Sequence, residues 1–154
     1  MTNNRLQTST MHCYRVDWID LEHEIPRHLH VADVTDSLPA WRIAQLVQEW
    51  IGDDGLVTGI RDKGKGFVIT HNQVEKDVRH TSLAREEADF YRVELQVSRQ
   101  RLPSVTYVAN ASDDVPLWRI AELFQDQIDK HRLIVAIDDV RVGLALLPAG
   151  DPGS

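Results

Sequence analysis

The sequence predicts an α+β protein in which one ββαββ unit is written twice. Each unit is expected to form an antiparallel sheet with one helix packed on one face, the pair related by a pseudo-twofold. Three observations lead there. Pro39-Ala40-Trp41-Arg42-Ile43-Ala44 returns as Pro116-Leu117-Trp118-Arg119-Ile120-Ala121, and Tyr14-Arg15-Val16 returns as Tyr91-Arg92-Val93, both at an offset of 77 residues. Aligned without a gap, Tyr14–His71 and Tyr91–Pro148 are identical at 19 of 58 positions, where ordinary composition gives roughly one in fifteen. Within each unit the apolar period switches from a strand's to a helix's and back.

Tyr14, Val16 and Trp18 alternate with Arg15 and Asp17, as in a half-buried strand. Pro26 breaks that run, and His30 to Val34 resume a short strand. Asp36 and Ser37 offer N-cap oxygens to a helix whose first turn accepts Pro39. Ile43, Ala44, Leu46, Val47, Trp50 and Ile51 share one helical face, and Gly52-Asp53-Asp54-Gly55 stops the helix. Leu56 to Ile60 and Phe67 to Thr70 follow as strands, with Asp62-Lys63-Gly64-Lys65-Gly66 expected as their hairpin turn. A phosphate-loop role for that segment fails, because it lacks the required spacing and leads into a strand.

The second unit repeats the order, with Asp113 and Asp114 as the expected caps. Ile43, Leu46, Ile51, Leu56, Ile60 and their counterparts are expected in the core. The last strand is apolar on both faces, with Val142, Leu144 and Leu146 against Ala145 and Leu147. It is expected at the junction of the halves or between chains, or at the centre of its own sheet. The boundaries predicted are a flexible tail over 1–13, a first repeat over 14–71, a polar linker over 72–90 with a helical turn at Leu83 to Ala88, a second repeat over 91–148, and a disordered end over 149–154.

The 154 residues are 42% hydrophobic and 27% charged, which is a globular composition. A net charge of −7, from 24 acidic and 17 basic residues, argues against non-specific nucleic-acid binding. One cysteine, Cys13, excludes an internal disulfide and fits a reducing compartment. Neither a signal peptide nor an apolar run long enough to cross a bilayer is evident, so a cytoplasmic protein without a membrane partner is expected.

Two sets of side chains could carry function. Trp41 and Trp118 lie off the apolar helical face beside Arg42 and Arg119, and Trp and Arg are enriched where proteins bind one another. The more ordinary reading of a first-turn Trp is that it folds back over its own helix start and the preceding loop. His23, His28 and His30 cluster near carboxylates, and a His-x-His spacing on a strand suits zinc, iron or copper. The second unit has Gln100, Val105 and Tyr107 at these places, so the scaffold does not need the histidines. Cys13 has no recognisable base beside it, and no Gly-x-Ser-x-Gly elbow is present.

Shifted by one strand, the element order resembles the paired βαβββ modules of the glyoxalase/bleomycin-resistance superfamily. The metal-ligand His and Glu positions of that family are not located here, so the resemblance is one of topology and carries no function. Two functions stay open. One is a non-enzymatic protein-binding or regulatory module, acting through its surface on a protein partner or as a dimer and needing no cofactor. The other is a small-molecule-binding protein or enzyme with its site in the cleft between the repeats, where a divalent metal could assist.

Overall fold

The computed structural model describes residues 6–70, 83–97, 103–112, 115–128 and 131–148. Alternating residues do build strands, but those strands are longer than their patterns suggest. β1 spans Gln7–Asp20, β2 Ile25–Asp33, β3 Gly55–Thr70, β4 Leu83–Val97, β5 Ser104–Asn110 and β6 Arg132–Pro148. α1 spans Ala40–Ile51 and α2 Leu117–Gln127. β1 thus starts inside the expected tail, and the expected helical turn at Leu83 to Ala88 is the start of β4. Asp113, Asp114, His71 and His80 lie outside the described residues.

The expected pair of ββαββ sheets, each with a helix of its own, does not form. The six strands close into one barrel in the order β1-β2-β6-β4-β5-β3. β1 runs antiparallel to β2 and β3, and β4 runs antiparallel to β5 and β6. Two short parallel pairs complete the ring: β2 with β6 over His30–Asp33, and β3 with β5 over Phe67–Ile69. The topological likeness to paired open sheets therefore lapses, since closure removes the edges those sheets would have.

The departure from two separate sheets centres on the expected hairpin. Asp62 to Gly66 does not turn; β3 runs straight through it beside β1. Its glycines serve two other needs. The β1–β3 register shifts between Cys13 and Tyr14, where Cys13 faces Gly64 and Tyr14 faces Asp62, so Lys63 is an extra residue. Gly64, at φ 86°, supplies the backbone such a bulge requires. Gly66 lies against β5, where an added Cβ would collide with the Tyr107 carbonyl.

The second half repeats these devices. Val140 is the extra residue where Phe90 faces Arg141 and Tyr91 faces Asp139. A second bulge leaves Thr58 extra in β3 and Val135 extra in β6. Gly143 meets the His30 carbonyl as Gly66 meets that of Tyr107.

Both helices pack on the outside of the barrel. Ile43, Leu46 and Val47 of α1 bury against Tyr14, Val16, Leu29, Val31, Leu144 and Leu146. Ile120 and Phe124 of α2 bury against Ile69, Tyr91, Val93, Leu95 and Val108. Each helix thus covers strands from both halves, and β6 sits at their junction. The interior is a separate core of Met11, Cys13, Ala32, Val34, Val68, Ala88, Phe90, Ala109 and Ala145. Small residues there match the narrow bore of a six-stranded barrel. Leu56 and Leu133, expected in the core, are 53% and 60% exposed. Leu56 pairs with Ile19 and Leu133 with Gln96, on the sheet face away from the helices.

Asp36 and Ser37 do not cap α1. Pro39 holds the N-cap place in extended conformation without a side-chain bond. Asp33 organises the approach instead: its carboxylate accepts from the Thr35 N–H and hydroxyl through Oδ1, and from the Leu38 N–H through Oδ2. Asn110 repeats part of this by accepting from the Ser112 N–H. Gly52, at φ 77°, ends α1 as expected.

Candidate functional site

Strand direction decides where the two halves place their equivalent residues. β2 and β6 are parallel and each is antiparallel to its neighbour, so β1 and β4 run the same way. They stand opposite each other in the ring. Along β1 the inward positions are Met11 and Cys13, then Arg15 and Asp17; along β4 they are Ala88 and Phe90, then Arg92 and Glu94. The parallel pairs stop at the level of His30 and Phe67. Beyond that level the walls β1/β2/β3 and β4/β5/β6 continue at the same end of the barrel. Their inner faces form a mouth.

The floor of the mouth is aromatic. The His30 ring lies 5.1 Å from Tyr107, 5.6 Å from Phe90 and 5.9 Å from His28, measured between centroids. His30 is 6% exposed, and its Nδ1 is buried with no hydrogen-bond partner. Burial, with the nearby His28, Arg15 and Lys63, lowers its pKa to about 4. The ring is therefore neutral near pH 7, with an uncommitted polar atom.

Above the floor two charge pairs repeat. Arg15 Nε donates to Asp17 at 3.1 Å, and Arg92 Nη1 donates to Glu94 at 2.6 Å. All four side chains are half-buried. The bond to Glu94 strengthens the hold of Arg92 on its proton, and Tyr107 and Asp138 add to this. Arg61 stands across from Arg15 on β3, and Asp138 stands across from Arg92 on β6. Ile19, Leu56, Val105 and Leu133 are exposed and follow the inner register towards the rim.

The three histidines are not brought together. His28 and His30 share the inner face. His23 lies in the β1–β2 hairpin, where its Nδ1 is 2.9 Å from Asp20 Oδ2, and the same oxygen accepts from Arg27 at 3.0 Å. His23 first, then Arg27, lowers the Asp20 pKa to about 2. Among the described residues no group of three or more His, Cys, Asp or Glu is placed to hold a metal. The Cys13 thiol is fully buried, and desolvation raises its pKa to about 12, which removes the thiolate a nucleophile needs.

Trp41 and Trp118 are 69% and 68% exposed at the first turns of their helices. Arg42 donates to Gln45 at 2.6 Å and Arg119 donates to Glu122. The two Trp-Arg pairs lie on opposite flanks, because α1 and α2 cover opposite sides of the barrel.

The duplicated Arg15-x-Asp17 and Arg92-x-Glu94 pairs are the feature that pattern reading passes over. Their alternation marks them as the polar face of a strand, and nothing local reveals that this face turns inward. The chain matches no known family model, curated protein or solved structure. No helix among the described residues is long and apolar enough to cross a membrane.

Proposed function

We propose that the protein binds a small molecule in the mouth of its barrel, without catalysing a reaction. The observation that supports this most is the pair of Arg–carboxylate units facing each other from β1 and β4 above the buried, unpartnered His30. Preformed charge on rigid strands beside an apolar rim is the composition of a ligand site. A cytoplasmic setting belongs to the same proposal, supported by the use of a single cysteine. Native mass spectrometry of gently purified protein tests it. A bound mass should be lost when Arg15 and Arg92 are both replaced by Ala in a protein that still folds. A ligand retained by that variant overturns the proposal.

A second function is favoured by a separate observation. Two Trp side chains more than two-thirds exposed, each beside an Arg at matching places, have the composition enriched at binding hot spots. They suit a protein partner, or a second copy of the chain, gripping either flank through Trp41 with Arg42 and Trp118 with Arg119.

A further inference from the structure

The two walls of the mouth are not electrically alike. The β1/β3 wall carries Arg15, Arg61 and Asp17, and Lys63 lies near enough to act on His30, three cations against one anion. The β4/β6 wall carries Arg92, Glu94 and Asp138, one cation and two anions. The difference arises at two pairs of equivalent positions, where β3 has Arg61 and Lys63 and β6 has Asp138 and Val140. β3 and β6 are opposite each other in the ring, as β1 and β4 are. A field therefore runs across the mouth from one wall to the other. Arg15 and Arg61 are also directly cross-paired, and Asp17 alone answers their two like charges, so a further anion is favoured there.

We infer that the mouth takes a small zwitterion, an α-amino acid or close analogue with an apolar side chain. The inference rests on the mouth being the binding site. The carboxylate lies against Arg15 and Arg61, whose forked guanidinium groups suit a planar two-oxygen anion. The ammonium lies towards Glu94 and Asp138, and the side chain rests on the apolar rim at Leu56 and Leu133, both more than half exposed. His30, neutral and buried at the floor, adds no net charge there. A simple anion would meet the acidic wall and a simple amine the basic one, so each half-ligand forfeits one attraction and meets one repulsion.

Isothermal titration with L-leucine, isocaproate and isoamylamine tests this, since the last two keep the side chain and one charge each. Leucine should bind at least about tenfold more tightly than either. Arg61→Asp and Asp138→Arg should each weaken leucine binding about tenfold, and the double exchange should restore most of it. Both positions are exposed, so the variants should keep their fold. Isocaproate binding as tightly as leucine, or charge exchanges without effect, overturns the zwitterion. If none of the three probes binds while a co-purified mass still depends on Arg15 and Arg92, the zwitterion is wrong and the mouth remains a site. If that mass too is indifferent to Arg15 and Arg92, both fall.

Discussion

His30 and Tyr107 hold the same place in the two halves of the chain, and their rings meet across the barrel axis with centroids 5.1 Å apart. The contact lies where the interior core gives way to the charged inward positions. It also explains why His30 is buried while His28, two residues back on the same strand face, is exposed.

Stability should depend on pH through His30. Its folded pKa is near 4 against an ordinary 6.5, so the proton prefers the unfolded chain. The fold is least affected above pH 6.5 and weakens progressively as pH falls towards 4, by about 3 kcal/mol in all. Urea unfolding at stepped pH should show this slope, and His30→Gln should remove it. Asp20 acts in a lower window, where stability is lost as pH falls from 3.8 through about 2.

Gly66→Ala and Gly143→Ala should each destabilise the barrel by about 1–3 kcal/mol or more, because the new methyl meets a backbone carbonyl that cannot rotate away. Gly64→Ala meets open space and should cost only the strain of its positive φ, about 1 kcal/mol. Midpoints of chemical unfolding measure the difference. Equal costs at positions 64 and 66 would contradict the close strand approach.

Cys13 should resist a thiol reagent in the native state and react only as fast as the barrel opens. Following the labelling rate in rising urea checks this. Rapid reaction in buffer would mean that the interior is accessible.

Trp41→Glu with Trp118→Glu should change stability by no more than about 1 kcal/mol in total, since both rings are largely in water. Tryptophan emission should fall and move to shorter wavelength, because the two rings lost are the most solvated of the four. If the protein binds a partner or itself through its flanks, the double variant should run as an unpartnered monomer in size exclusion. Unchanged association would remove Trp41 and Trp118 from that role.

Much of the helical layer was legible in the sequence. Ile43, Leu46 and Val47 declare their face by spacing alone, because a helix's contacts are set within a few residues. Gly52 declared its role for the same local reason. Pairing of β2 with β6 joins His30 to Gly143, and no short window of sequence contains both. Without that pairing, an inward polar face cannot be told from an outward one, so Arg15 and Arg92 read as solvated. Leu56 and Leu133 misled in the opposite direction: apolar character suggested core, while the register puts them on the open face. Gly64 and Gly66 looked like a turn because glycine marks both turns and close approaches.

The placement of Leu144 and Leu146 under α1 bears on how the protein is made. A ribosome delivers α1 long before the strand that completes its floor, and β2 waits as an unpaired edge until β6 emerges. During that interval the nascent chain exposes an apolar seam of the kind that chaperones grip and aggregates share. Two copies of the first half could satisfy each other's seams, because exchanging the halves leaves the strand pairing pattern unchanged. Joining the halves in one chain makes that closure independent of concentration.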